Sequence, residues 1–247
     1  MSVARLALAA LPFTLAGCHI HTGRDSFVVD GVRLNAKHEE TLTLESWPTE
    51  GLTIDSHQGD IVIERGAGPT TLTVMVHERH LGDAHVHLEG GLLVARTADD
   101  SKCAIGNVRL RGAGPLAGLK LDTGMGDIEL LDVEVTGRLT AETGMGDVLV
   151  RGAGAPDMVV LASGMGDVSA RRFKCRRIEA ESGMGDVEIE GLEAEEAELS
   201  SGMGDVDVVR SSGKSLEAET GLGDVDVVES SFEQRDLSTG LGSVDSR

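Results

Sequence analysis

Thr123-Gly124-Met125-Gly126-Asp127-Ile128 recurs with small changes at Thr143–Val148, Ser163–Val168, Ser182–Val187, Ser201–Val206, Thr220–Val225 and Thr239–Val244. The copies start 20, 20, 19, 19, 19 and 19 residues apart. A unit this short cannot bury its own apolar face, but stacked copies can, so a fixed period of this length marks a stacked architecture. A degenerate copy, Cys103-Ala104-Ile105-Gly106-Asn107-Val108, precedes the first by 20 residues, and a fainter echo, Gln58-Gly59-Asp60-Ile61, lies further upstream.

Aligned on the Ser/Thr, the copies show a period of two. Four positions earlier stand Leu119, Leu139, Val159, Ile178, Ala197, Leu216 and, exceptionally, Arg235. Two positions earlier stand Leu121, Ala141, Leu161, Ala180, Leu199, Ala218 and Leu237, and two positions later Met125, Met145, Met165, Met184, Met203, Leu222 and Leu241. After Gly-Asp the phase shifts, and Ile128, Val148, Val168, Val187, Val206, Val225 and Val244 begin a second alternating segment. Period two is the signature of a strand with one face inward. Glycine permits the backbone angles of a tight corner, and aspartate can bond its own backbone there. The fold expected is all-β: a single-stranded parallel β-helix (β-solenoid) with coils of 19–20 residues stacked about 4.8 Å apart. A β-sandwich of short strands would not require identical corners at a fixed period. Residues 119–247 are read as the regular repeats. Residues 27–118 alternate less regularly and are expected to form early coils or a cap.

Composition narrows the function. The chain has 247 residues, 42 acidic and 22 basic, for a net charge of −20. Polyanion binding needs a basic patch, so nucleic acid is not an expected partner. Four Phe, one Trp and no Tyr leave no stacking platform for single strands.

The N-terminus, MSVARLALAALPFTLAGC, places Arg5 before an apolar run too short to span a bilayer. Leu15-Ala16-Gly17-Cys18 resembles the lipobox of bacterial lipoproteins. That resemblance implies a signal peptide over residues 1–17, lipidation at Cys18, a tether over 18–26 and a membrane partner through the anchor. His19, where such lipoproteins carry Asp for inner-membrane retention, favours the outer membrane.

The segment Leu42 to Ile63, with its Gly59-Asp60-Ile61-Val62-Ile63, and the repeated S-G-x-G-D-V-x-V units resemble the bacterial putative-adhesin families, also called head-GIN-domain-like. The resemblance covers most of residues 40–247. It implies a β-solenoid exposed on the cell envelope, with an unknown envelope, protein or glycan partner, and brings no catalytic residues.

Several columns invite chemical readings. Asp127, Asp147, Asp167, Asp186, Asp205 and Asp224 would repeat every coil; like charges at about 4.8 Å repel by about 1 kcal/mol in water. Ca²⁺ could offset this through carboxylate oxygens, or each carboxylate could accept corner N–H groups. No other cofactor is expected. The methionines, two positions after an inward Ser/Thr, read as core rather than as soft-metal ligands. The Ser/Thr column reads as a buried hydroxyl ladder rather than an ice-binding array. Asp122, Glu142, Glu181 and Glu219, and Glu129, Glu188, Asp207 and Asp226, read as outward acidic rows. All eight His fall within residues 19–87; His85 and His87 would share a strand face and His19 and His21 stand near the membrane, where Zn²⁺ or Cu²⁺ could bind, but no metal-binding motif is present and solvated surface positions are the expected reading. Cys103 and Cys175 sit in different coils, too far apart for a disulfide. Arg235 and Arg247 would blunt the edge of the C-terminal coil, or that edge would make a homotypic contact. No nucleophile elbow or phosphate loop is present, and an active site is rarely copied seven times. The expected function is non-enzymatic: a lipoprotein presenting a rigid acidic solenoid, with a metal-binding module or a carbohydrate-active enzyme as alternatives.

Overall fold

The structure is a computed structural model and describes residues 27–45, 48–152 and 154–247. The lipobox Cys18, His19 and His21 lie outside the described residues. Every regular element described is a strand. From Leu119 onward the strands stack in parallel and in the register of the repeat. Leu119–Thr123 lies on Arg138–Thr143 with Leu119 facing Leu139 and Thr123 facing Thr143. The same pairing continues through Gly154–Ser163, Val168–Met184, Val187–Met203 and Ser212–Leu222 to Ser231–Leu241. The second segment, from Ile128–Leu131 to Val244–Ser246, pairs likewise. Equivalent residues of consecutive copies therefore face one another, and the columns of the sequence are columns in space. The chain is a parallel β-solenoid.

Each coil turns at two fixed places. The first is Gly-x-Gly-Asp, where the second glycine takes φ between 140° and 158° from Gly126 to Gly223. The second lies four residues beyond the first inward Val or Ile. Asp132, Gly152, Arg172, Gly191, Arg210 and Glu229 all take left-handed φ there, from 49° to 67°. Four of the six are not glycine, although this region disfavours side chains with a Cβ. The inward columns are buried from Leu119 to Val227, and one of them alternates large and small: Leu121, Ala141, Leu161, Ala180, Leu199 and Ala218. Such alternation lets neighbouring layers interdigitate without voids.

The methionine column is not in the core, which corrects the sequence reading. Met145, Met165, Met184 and Met203 are 41–48% exposed, and Leu222 is 46% exposed. The reason is parity. Thr143 and Val148 both point inward but stand an odd number of residues apart, so an unbroken strand could not bury both. The Gly-Met-Gly-Asp corner supplies the slip by bulging outward, with Met at its apex. Period two holds along each straight segment and fails across the corner.

Stack order departs from chain order at the N-terminal end. The coil beside Leu119–Leu131 is Leu52–Ser56 and Ile61–Arg65, with Leu119 facing Leu52 and Ile128 facing Ile61. Ala104–Gly112 lies on the other side of that coil, with Val108 facing Ile61. The echo at Gln58–Ile61 thus separates the degenerate copy at Cys103–Val108 from the first regular one. Beyond it, Thr70–Glu78 runs antiparallel to Ala104–Gly112, and Ala36–Leu44 antiparallel to Thr70–Glu78. These antiparallel strands cap the stack. The buried Glu78 carboxylate pins the cap, accepting from Gly82 N (2.6 Å), Ala84 N (2.7 Å) and the His38 ring (2.7 Å). Residues 27–118 therefore supply both a coil and a cap.

Candidate interaction surface

The corner is tied from coil to coil by two side-chain ladders. Each Ser/Thr hydroxyl donates to the carbonyl of the second motif glycine one coil earlier: Thr143 to Gly126, Ser163 to Gly146, Ser182 to Gly166, at 2.7–2.8 Å. This is the buried hydroxyl ladder expected from the sequence. Each Asp Oδ1 accepts the backbone N–H of the next Asp: Asp147 N to Asp127 (2.9 Å), Asp167 N to Asp147 (2.8 Å), Asp186 N to Asp167 (2.9 Å). The bonds continue through Asp205 and Asp224 to Ser243. Asn107 takes the same role toward Asp60 N at 3.2 Å. One oxygen of each ladder carboxylate is thus committed to an amide. The glycines follow from the same closeness. A Cβ on Gly166 would stand 2.2 Å from the Gly146 carbonyl oxygen, and one on Gly164 would stand 2.6 Å from that of Gly144.

Between these glycines the apolar residues form a ridge along the outside of the corner. Its backbone is pinned rung to rung: Gly126 N donates to Met145 O (2.9 Å), Gly146 N to Met165 O (3.0 Å) and Gly166 N to Met184 O (3.1 Å). Met184 faces Met203, Met203 faces Leu222 and Leu222 faces Leu241. Scattered exposed apolar side chains are ordinary, but a contiguous row on a rigid frame is a candidate contact surface.

Carboxylates flank the ridge. On one side runs the Asp ladder, and beyond it the outward row of the second segment. Glu188, Asp207, Asp226 and Asp245 face one another without interruption. Asp245 was missed in the sequence, although it stands 19 residues after Asp226. Glu129 belongs to the same row, but Leu149 and Ser169 separate it from Glu188. A groove of about 400 Å³ runs between ladder and row, lined by Asp147, Asp167, Asp186, Glu188 and Asp207. Burial, and then the neighbouring Asp226, Asp205, Asp186 and Glu188, push the Asp207 carboxyl above its ordinary value. On the other side of the ridge the first-segment row is broken. Asp122 faces Glu142, but Ala162 separates Glu142 from Glu181 and Ser200 separates Glu181 from Glu219.

The remaining candidates are dispersed. Among the described residues no three His, Cys, Asp or Glu side chains converge to hold a metal ion. His85 lies 3.7 Å from Glu40, His80 3.1 Å from Asp83 and His87 2.9 Å from Glu89, each beside its own carboxylate. Cys103 and Cys175 are free thiols, and burial pushes Cys175 up to about 12. The basic stretch Arg171–Arg177 is neutralised by the acidic coil beside it, through Lys174–Glu193 (2.8 Å), Arg177–Glu196 (3.0 Å) and Arg177–Glu198 (2.8 Å). A second groove, of about 780 Å³, has Val135, Cys175, Ala194 and Gly213 along its lining. Arg235, predicted to blunt the last coil, donates to Ser246 Oγ at 2.6 Å, and Arg247 pairs with Asp245.

Residues 138–244 match the family Toastrack DUF4097. That span covers the regular repeats from the second copy onward. Among solved structures, the chain is similar to a putative adhesin from Bacteroides fragilis, at 18% identity and a TM-score of 0.55, over 86% of this chain and 97% of that one. It is also similar to a protein from Parabacteroides distasonis titled a putative lipid binding protein, at 12% identity and a TM-score of 0.50, over 84% and 96%. At these identities the likeness is one of fold. No curated protein matches the chain. The Toastrack match fits the putative-adhesin solenoid family to which the repeats pointed.

Proposed function

We propose that this protein is a non-enzymatic, exported envelope lipoprotein, anchored through Cys18 in the outer membrane, whose solenoid makes adhesive contacts along the ridge. The observation that carries the reading is the row Met145–Leu222, exposed on a hydrogen-bonded frame and flanked by carboxylates. The partner is a polypeptide surface with apolar and basic groups. Methionine side chains adapt to varied apolar shapes, and the carboxylates steer a cationic partner toward them. The adhesin title of the Bacteroides structure agrees with this use, and the lipobox supplies the address.

Two measurements test it. Cys18→Ser should abolish acylation, read by mass spectrometry, and release the protein from the membrane fraction. Cells displaying the full chain should adhere to surfaces coated with a basic amphipathic peptide. The triple variant Met165→Glu/Met184→Glu/Met203→Glu should lose that adhesion while keeping its β circular dichroism. Equal adhesion of wild type and folded variant would refute the ridge as the contact surface.

A further inference from the structure

We propose that the methionine column is a soft-metal site, a ladder of thioethers that takes Cu(I) or Ag(I) between successive rungs. Five consecutive coils carry Met at this position, Met125, Met145, Met165, Met184 and Met203, and these are five of the eight methionines in the chain. From Met145 to Met203 the side chains are 41–48% exposed, so an ion reaches the sulfurs from solvent. Glycine on both sides of each Met leaves no neighbouring side chain in the way.

Spacing matches the ligand geometry of these ions. Met184 faces Met203 in register, and the Gly126, Gly146 and Gly166 amides hold the earlier rungs the same way. Adjacent strands stand about 4.8 Å apart. Monovalent d¹⁰ ions accept two opposed sulfurs. With a metal–sulfur distance of about 2.3 Å, the value for zinc and thiolate, two opposed sulfurs span about 4.6 Å. Three rotatable bonds let each thioether turn along the column. Thioether is a donor type that selects Cu(I) over hard ions, whereas the flanking carboxylates suit hard ions and here only balance charge.

The position itself does not demand methionine. Leu222 and Leu241 occupy it in the last two regular copies, and Gly204 N donates to Leu222 O at 3.0 Å as other rungs donate to Met. Leucine therefore keeps the ridge apolar and its backbone unchanged while removing the sulfur. This separates ion binding from adhesive contact, on which the inference does not rest.

The experiment is titration of the mature full-length protein with Ag⁺, followed by calorimetry and by NMR of ¹³C-methyl methionine. Two ions or more should bind, with shifts in the methyl signals of the five ridge methionines and not of Met75 or Met158. Thioethers release no proton, so the affinity should be unchanged between pH 5 and 8, unlike a His or Cys site. Replacing all five with Leu should lower the affinity at least tenfold with the melting temperature retained. Should that variant not fold, the pair Met165→Leu/Met184→Leu should lose at least one ion. All titrations are made in the Cys103→Ser background, which removes the partly exposed thiol as a competing soft ligand. Absence of binding in that background, or equal binding when the Leu replacements are added to it, would each overturn the assignment.

Discussion

Asp167 shows what the motif aspartate is for. Its Oδ1 accepts the Asp186 amide at 2.9 Å, while its own amide donates to Asp147. Two effects compete at this site. An amide left without its acceptor costs about 1–3 kcal/mol when buried and less at a wet corner. Stacked like charges about 4.8 Å apart repel by about 1 kcal/mol in water. Asparagine keeps the acceptor and removes the charge, and the chain itself does this once, at Asn107. Asp167→Ala should therefore destabilise by about 1 kcal/mol, whereas Asp167→Asn should be neutral or stabilising by up to about 1 kcal/mol. Urea denaturation of the two variants checks this. Equal losses would mean that the charge, and with it a bound cation such as Ca²⁺, is what the column needs.

A coil of the solenoid is an interchangeable element, because its edges meet edges of the same kind. Deleting Thr143–Ala162 removes one full period and brings Ser163 to the place of Thr143, so the Asp127 and Asp167 corners become neighbours. The shortened chain should fold, keep its β circular dichroism and lose roughly one interface's worth of stability. Deleting Leu52–Arg65 should prevent folding, because that coil joins the cap to the stack. Cooperative thermal melts separate the two outcomes. This contrast also marks how far the sequence could be read. The buried Val and Ser/Thr columns were legible because they lie on straight segments with a strict period. The ridge was misread because the count of two was carried across a corner. The place of Leu52–Arg65 was not legible because its ladder partner lies 67 residues away, as in the bond from Asp127 N to Asp60. The second corner left almost no trace, since Asp132, Arg172, Arg210 and Glu229 adopt a conformation that usually announces itself as glycine. The groove beside Cys175, Ala194 and Gly213 arises from small side chains, which carry no periodic signal.

Across the whole molecule the charge of −20 is arranged in columns, and this sets how stability answers to pH and salt. Asp207 is pushed up by burial and by four neighbouring carboxylates, and Asp122 by burial and by Asp55 and Glu142. A carboxyl raised in the folded state holds its proton more tightly there than in the unfolded chain. Its ionisation at neutral pH therefore opposes folding, and the penalty fades as pH falls through the folded value toward the unfolded one, about 3.9 for Asp. Glu78 works in the other direction. Burial pushes it up, but the bonds from Gly82, Ala84 and His38 more than reverse this, so its value is lowered. Its contribution is present above the unfolded value, about 4.3 for Glu, and is lost only as pH falls below it. Asp207→Asn should stabilise the protein at pH 7 by about 0.2–1 kcal/mol, the range for directly opposed side chains on a sheet. The gain should shrink as pH falls through the raised folded value toward that of the unfolded chain, because the Asp itself then takes up a proton. It should shrink also in 1 M NaCl, where the screening length of about 3 Å is shorter than the rung spacing. A cationic partner on the ridge would relieve the same repulsion, so the variant should also bind a basic amphipathic peptide more weakly, as its stability rises. A gain that survives both acid and salt would place the effect in packing rather than charge, and would remove the electrostatic part of the contact reading.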